Sequence, residues 1–155
     1  MQAEKLQFIS TRFVPLLQTI PGDTMGKWGK MNAQQMVEHV SGFFKVSTEK
    51  IKFPVVTPVE HLPKYKEFLL SDKEFRENTK APTGVVPDEA VATRNPSMAA
   101  ALMELQLEIH DFVKYFLYHP GAKTAHPVFG ELDFDEWVQL HHKHVTHHAK
   151  QFGVL

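Results

Sequence analysis

Four long segments of this chain carry apolar residues at intervals of three and four, and this periodicity constrains the fold more than any other feature. Such spacing places the apolar side chains on one face of an α-helix. The predicted helices cover roughly residues 3–18, 33–50, 97–118 and 133–151. No stretch alternates apolar and polar residues at every second position, so no strand is predicted. The pattern therefore predicts an all-α protein, an antiparallel four-helix bundle in one domain over residues 1–155.

Local signals mark where these helices begin and where one of them is disturbed. Asn32 and Asp133 are side chains that cap helices, and Gln35 or Glu136, three positions later, completes a capping box in each case. Pro15 falls inside the first apolar pattern. Because proline lacks an N–H group, a kink or an early end of the helix is expected there.

Residues 51–95 differ from the rest because prolines recur through them. A short helix is predicted at 59–70, and the remainder is expected to form an ordered excursion between the second and third helices. An excursion of this length is either a crossover or a functional lid. Its aromatic residues argue against disorder.

Composition excludes several classes of function. The chain contains no cysteine, so disulfides, cysteine-ligated zinc and a protein thiol nucleophile are ruled out. A net charge of −1, without any basic run, argues against nucleic acid as a partner. The N-terminus lacks a signal-peptide pattern, and no apolar run is long enough for a bilayer. A cytoplasmic protein with no membrane partner is therefore expected.

Histidines are concentrated near the C-terminus, where five of the ten lie between residues 140 and 148. On a helix, His144 and His148 lie one turn apart, on the face that also carries Trp137 and Phe152. His39 lies on the apolar stripe of the second helix, so two facing helices could bring three imidazoles together. Three neutral imidazoles suit a divalent metal ion, and three protein ligands leave a coordination position open, as catalytic sites do.

A simpler interpretation treats each inward histidine as a core residue hydrogen-bonded to a carbonyl or a carboxylate. For His39 alone this interpretation is the better one. The three together favour the metal, because burying three imidazoles costs about a few kcal/mol unless each has a partner. One ion satisfies all three rings at once.

Four further residues are candidates for supporting roles. His141 lies on the inward stripe of the last helix and could replace a ligand or join the set. His147 is expected to hydrogen-bond at the flank of the bundle or to support a ligand from outside. Gln151, in the last turn, could steady a ligand or a bound substrate. His126 lies in a connection, where a solvated loop residue is the simpler interpretation.

The sequence also lacks several catalytic motifs. The segment from His144 has no glutamate of the zinc-protease type, no pair of Glu-x-x-His motifs occurs, and no phosphate loop or serine elbow is present. Glu38 is the carboxylate nearest in sequence to a proposed ligand, but its adjacent helical position points it elsewhere. The other histidines are predicted to be exposed on the surface: His61, His110, His119 and His142.

Taken in order, three groups of residues resemble the DinB/YfiT-like superfamily, and most closely an uncharacterised branch of it. The groups span nearly the whole chain, and their order and spacing carry the resemblance more than any one of them alone. They are Trp28-Gly29-Lys30-Met31 with Gln35-Met36 and His39, then His126-Pro127-x-Phe129-Gly130-x-Leu132 with Trp137, and finally His144-x-x-His147-His148-x-x-Gln151.

The resemblance implies a four-helix bundle with an up-down-down-up course, a long crossover between helices 2 and 3, and often a homodimer. It implies a divalent metal ion held by His39, His144 and His148. Characterised members include transferases and isomerases that depend on a low-molecular-weight thiol, which the metal is considered to bind. Other members are described as metal-dependent hydrolases, and no reaction is assigned to this branch.

Two classes of function follow from these observations. The first is a metalloenzyme that acts on a small-molecule substrate through metal-bound water or an external thiol. The second is a non-catalytic helical bundle that binds a partner or dimerises. A small-molecule binding module beneath the 51–95 excursion would share its pocket with the first. Imidazole suits zinc, nickel, copper and iron, so the ligand set alone does not identify the ion.

Overall fold

The protein is mostly helical, with one small antiparallel sheet, in a computed structural model that describes residues 2–79 and 90–155. The helical class is confirmed in outline, but the expectation of no strands is wrong. Residues 80–89 of the predicted excursion lie outside the described part. The elements in chain order are α1 (Gln2–Gln7), a π-helical turn (Phe8–Arg12), α2 (Phe13–Leu17), α3 (Ala33–Ser47), a 3-10 turn (Val59–His61), α4 (Leu62–Leu70), α5 (Met98–Tyr118), β1 (Thr124–His126), β2 (Gly130–Leu132) and α6 (Phe134–Gln151).

The N-terminal helix is irregular just before Pro15. The amide of Phe13 donates to the carbonyl of Phe8, five residues earlier, and this wide turn separates α1 from α2. Because α2 starts at Phe13, Pro15 lies in its first turn, where a missing N–H group is tolerated. The kink expected at Pro15 therefore takes the form of a π turn ahead of it, and the helix continues to Leu17.

Both predicted capping boxes are present. Asn32 Oδ1 accepts the N–H of Gln35 at 2.9 Å, and Gln35 Oε1 accepts the N–H of Asn32 at 2.8 Å. Asp133 and Glu136 exchange the corresponding pair of bonds at 2.9 and 3.0 Å. These side chains satisfy amide groups that a helix start otherwise leaves without partners. They fix the first turns of α3 and α6.

Helices α3 and α5 pack along each other and run in the same direction. Lys45 pairs with Glu104 at 3.1 Å, and Lys50, further along the chain, pairs with Glu108 at 3.0 Å. Two neighbouring parallel helices need a long connection between them, which the excursion provides. The interior is filled by buried side chains from α3, α5 and α6, among them Met36, Val40, Phe44, Leu105, Ile109, Phe112, Trp137 and Val145.

The two short strands form a hairpin between α5 and α6 in the chain. Its hydrogen bonds link the end of α3 to α6. His126 pairs with Gly130 across the hairpin. The hydroxyl of Thr124 donates to the carbonyl of Ser47 at 2.8 Å and accepts the indole N–H of Trp137 at 2.7 Å. All three of these groups are buried, so the hydroxyl satisfies two polar groups that would otherwise be unpaired in the core.

The short helix predicted at 59–70 is present as the 3-10 turn and α4. The far end of the excursion is fastened to α3 by Glu38, whose carboxylate accepts the N–H groups of Arg94 at 2.7 Å and Asn95 at 3.0 Å. Burial alone would raise the pKa of Glu38, but hydrogen bonds from Arg94 and Asn95 outweigh it and lower that pKa. No helix of the described residues is long and apolar enough to cross a membrane.

Candidate metal centre

Three imidazoles from two helices meet at one point of the fold. His39 comes from α3, and His144 and His148 come from successive turns of α6. The Nε2 atom of His144 lies 3.0 Å from Nε2 of His39 and 3.0 Å from Nε2 of His148. One ring nitrogen of each residue lies within 4.8 Å of the other two. The structure thus brings together the three predicted ligands, although 105 positions separate His39 from His144.

Burial keeps the three rings of this histidine cluster neutral at neutral pH. It lowers the pKa of His39 to about 4, and His147 adds a smaller electrostatic contribution. Burial also lowers the pKa of His144 and of His148 well below the usual value, with further contributions from neighbouring imidazoles. Neutral imidazole is the form that binds metal ions, so protons compete little for these nitrogens near pH 7.

Gln151 determines which nitrogen of His148 carries the proton. Its side-chain N–H group donates to the carbonyl of Trp28 at 2.8 Å, which leaves Oε1 facing His148 Nδ1 at 2.7 Å. A carbonyl oxygen can only accept, so the Nδ1 atom of His148 must be the donor. The Nε2 atom of His148 then presents a lone pair towards His144.

Hydrogen bonds among the three rings cannot satisfy all three Nε2 atoms of the cluster. The Nε2 atom of a neutral imidazole either donates one bond or accepts one. If His144 donates to His148, it has no lone pair left for His39. If His144 accepts from His39, the lone pair of His144 Nε2 faces the lone pair of His148 Nε2 at a distance of 3.0 Å. A metal ion resolves the conflict, because it accepts a lone pair from each nitrogen.

The spacing of the nitrogens also fits a shared ion. Two nitrogens bound at about 2.1 Å lie about 3.0 Å apart at a right angle and about 3.4 Å apart at a tetrahedral angle. The two separations of 3.0 Å fall at the short end of that range. Among residues 2–79 and 90–155, no carboxylate joins the three histidines as a possible ligand. Three neutral ligands would leave positions for an external water or thiol.

Aromatic side chains border the cluster on two sides. The ring of Phe43 lies 5.2 Å from that of His39 and 5.2 Å from that of His144, edge-on in both cases. His39 and His144 are both partly exposed, whereas His148 is buried.

His147 lies beside the cluster, with its ring 5.1 Å from that of His148. Its ring lies 5.5 Å from Trp28 and 5.9 Å from Phe75, and it is hydrogen-bonded to the backbone of Phe75. Burial lowers the pKa of His147 despite that hydrogen bond. The residue therefore helps to join α6 to the segment after α4, and it is no member of the cluster.

His126 is buried, which corrects the expectation of a solvated loop residue. Its side chain is 7% exposed, and its Nδ1 atom accepts the N–H groups of Val128 at 3.0 Å and Phe129 at 3.3 Å. Burial lowers the pKa of His126 to about 3. The ring stacks on Phe43 at 5.8 Å, so His126 supports the hairpin turn and the wall of the cluster.

His141 lies in an aromatic layer next to the cluster and does not join it. Its ring stacks on that of Phe44 with 3.8 Å between centroids, and it lies 5.2 Å from that of Trp137. The side chain is 1% exposed, and its Nε2 atom has no hydrogen-bond partner in the described part of the chain. Burial lowers the pKa of His141 well below its usual value.

Two residues on another face of α6 differ from expectation. His142 was expected to be exposed but is half-buried, with its ring 5.5 Å from that of Phe8. Lys143 carried no signal in the sequence, because a lysine on an amphipathic helix normally faces solvent. It is buried, and its ammonium group donates to the carbonyls of Ser71 and Lys73. The other histidines are exposed, as predicted: His61, His110 and His119.

Two surface clefts beside Phe8 and His142, of about 340 and 370 Å³, are not lined by any member of the cluster. Two of the cations that line the 340 Å³ cleft already have partners. Lys5 donates to Gln139 at 2.6 Å, and Lys143 donates to backbone carbonyls. The histidine cluster, which lies outside both clefts, remains the candidate site.

Comparison with known proteins identifies a family and no function. A family model described as "Protein of unknown function (DUF1569)" matches residues 14–153, so the chain belongs to this family. The matched range contains the histidine cluster and Gln151. No curated protein and no solved structure matches the chain.

Proposed function

We propose that this member of the DUF1569 family is a metal-dependent enzyme that acts on a small-molecule substrate. The observation that carries the proposal is the convergence of three neutral imidazole nitrogens. Two pairs of them lie 3.0 Å apart, and hydrogen bonds among the three rings cannot satisfy them all. His39, His144 and His148 are the ligands. The ion is zinc, nickel or iron, each of which imidazole suits.

When bound, such an ion lowers the pKa of a water ligand towards about 7 or holds an external thiol as its thiolate. The absence of cysteine from the chain suits an external low-molecular-weight thiol, because no internal thiol competes for the open position. The reaction is therefore a hydrolysis or a thiol-dependent transfer. A product that forms only when a thiol is added would favour the transfer.

The chain's own residues position the ligands and limit access of water. Gln151 holds the proton of His148 on Nδ1, away from the cluster. Phe43 covers one side of the cluster, and the Trp28 ring lies against its neighbour His147. Apolar walls of this kind strengthen electrostatic interactions with a bound substrate, because they lower the local dielectric constant.

We further propose a four-helix bundle with an up-down-down-up course, as in the DinB/YfiT-like superfamily, in a single cytoplasmic domain over residues 1–155. Contacts of Gln2 with Gln139 at 3.3 Å and of the Phe8 ring with His142 at 5.5 Å support a first and a last helix that run in the same direction. The parallel packing of α3 and α5 supports the same course.

Metal analysis tests the proposed function. Protein purified without a nickel column should contain about one equivalent of a transition metal per chain. His39→Ala should remove it, because two imidazoles remain, whereas the matched change His110→Ala on the exposed face of α5 should leave it in place. Less than about a tenth of an equivalent in the wild type, unchanged by His39→Ala, would contradict the proposal.

The alternative is a non-catalytic bundle that acts by association, for example as a homodimer, and one feature of α5 favours it. Met103, Leu107 and Leu117 are 67%, 59% and 73% exposed and share one face of that helix. This alternative requires that a chelator leave the melting temperature unchanged. It also requires that Leu107→Lys change the mass measured in solution by light scattering.

A further inference from the structure

We infer that Gln151 is the positioning residue of the metal centre, and that the loop from Lys27 to Gly29 keeps its amide in the required orientation. The effect on metal affinity rests on the proposed function. The hydrogen bonds of Gln151 carry the positioning role independently of that function.

Gln151 is held at both its backbone and its side chain. The carbonyl of Gln151 accepts the N–H of Lys27 at 2.7 Å, and the side-chain N–H donates to the carbonyl of Trp28 at 2.8 Å. The residue is 3% exposed, so water does not compete freely for these bonds. If the amide turned over, its oxygen would face the oxygen of Trp28 and its nitrogen would face His148. Only one orientation of the amide therefore satisfies its surroundings.

This orientation prepares His148 to bind a cation. The Oε1 atom of Gln151 accepts the Nδ1 proton of His148 at 2.7 Å, which leaves the Nε2 lone pair directed at the cluster. Without Gln151 the neutral ring could carry its proton on Nε2, and that nitrogen would then be unable to coordinate an ion. Partners of this kind at the outer nitrogen of a ligating histidine typically account for about 10- to 100-fold in metal affinity.

Gly29 leaves the space that the amide needs. Its φ of +79° lies in the left-handed region, and a Cβ atom built there would lie 2.8 Å from Gln151 Nε2. Any side chain at this position would push the amide away from the carbonyl of Trp28. The glycine is thus required twice, for its backbone conformation and for the close approach of the amide.

A matched pair of substitutions separates these two requirements. Gly121 has the same φ of +79°, but a Cβ atom there would meet nothing within 4 Å. Gly29→Ala and Gly121→Ala therefore share the backbone strain, and only Gly29→Ala displaces the Gln151 amide. We expect the zinc Kd, measured by competition with a chromophoric chelator, to rise about 10- to 100-fold in Gly29→Ala. It should stay within about twofold of the wild type in Gly121→Ala.

Substitutions of Gln151 itself test the role of the acceptor. Gln151→Leu should weaken zinc binding to the same extent as Gly29→Ala. Gln151→Glu should bind zinc more tightly than Gln151→Leu, because its carboxylate still accepts the Nδ1 proton of His148. Equal zinc affinities for the leucine and glutamate variants, or for the two glycine variants, would overturn the inference.

Nitrogen NMR of the metal-free wild type gives a readout that needs no substitution and no metal. Long-range ¹H–¹⁵N correlation spectra distinguish the protonated nitrogen of His148, and we expect that nitrogen to be Nδ1. A proton on Nε2 would overturn the inference, even if zinc binds. If Nδ1 is protonated but zinc does not bind, the proposed function fails and the positioning of His148 by Gln151 stands.

Discussion

The buried ring of His126 should make stability depend on pH in a way that one substitution can isolate. The Nδ1 atom of His126 accepts two backbone N–H groups, from Val128 and Phe129, and the ring is buried against Phe43. Burial lowers the pKa of His126 from the usual 6.5 to about 3. The folded protein therefore keeps this ring neutral over a pH range in which the unfolded chain protonates it.

The sign and size of the effect follow from linkage. The folded pKa lies below the unfolded one, so the stabilisation is fully present above pH 6.5 and is lost as the pH falls towards 3. Between pH 8 and pH 5 the unfolded ring gains most of a proton and the folded ring almost none. This difference lowers the free energy of unfolding by about 2 kcal/mol over that interval.

The substitution His126→Asn tests this reasoning. The Oδ1 atom of asparagine can accept the N–H groups that Nδ1 accepts, but asparagine does not titrate. Urea unfolding of both proteins with a chelator present, at pH 8 and at pH 5, gives the pH dependence of each. The other buried histidines remain in both proteins and cancel in the comparison. We expect the loss between pH 8 and pH 5 to be smaller by about 2 kcal/mol in the variant, and an equal loss would refute the account.

Three further outcomes follow from local geometry. Gly42→Ala should raise the free energy of unfolding by about 0.5–1 kcal/mol in urea, because a Cβ atom within α3 meets nothing there within 4 Å. A decrease would show an unrecognised contact. Asp133→Ala should lower that free energy by about 1 kcal/mol, since it removes the cap of α6, and a change near zero would count against the cap. His141→Leu should leave the metal content of the protein unchanged, because the ring lies in the aromatic layer. A loss of metal would identify His141 as a ligand.

The features that the sequence predicted well depend on residues close together in the chain. Each capping box needs only two side chains three positions apart, as in Asn32 with Gln35, so its geometry is almost fully local. The inward position of His39 followed from the apolar periodicity around it, which the packing of α3 obeys. The pairing of His39 with α6 was predictable only because facing apolar stripes must be buried together.

The hairpin was not predictable because its strands are too short to display alternation. Each has three residues, and the turn between them is stabilised by the ring of His126. Pro127 and Gly130 are turn residues, but without alternating runs on both sides they do not indicate a hairpin. The burial of His126 and the contacts of Lys143 depend in the same way on segments that approach from elsewhere in the chain.

The choice between His141 and His144 shows where periodicity stops being informative. Both lie within about 60° of each other on α6, so the helical pattern makes them equivalent. The two residues differ in which residue of α3 they face, and this depends on how far α3 is shifted along α6. Phe44 faces His141, and His39 faces His144.

One contact that holds α3 and α6 at this relative height is the buried hydroxyl of Thr124, which joins Ser47 to Trp137. Ser47 lies three residues after Phe44, and Trp137 lies four residues before His141. Next to the hydrogen bonds of Thr124 lies the aromatic layer in which Phe44 stacks on His141. The histidine cluster, where His39 faces His144, lies about one helical turn beyond that layer. A shift of α3 by one turn would put His141 opposite a different residue. The position of the histidine cluster thus depends on the unpredicted hairpin as well as on the histidines.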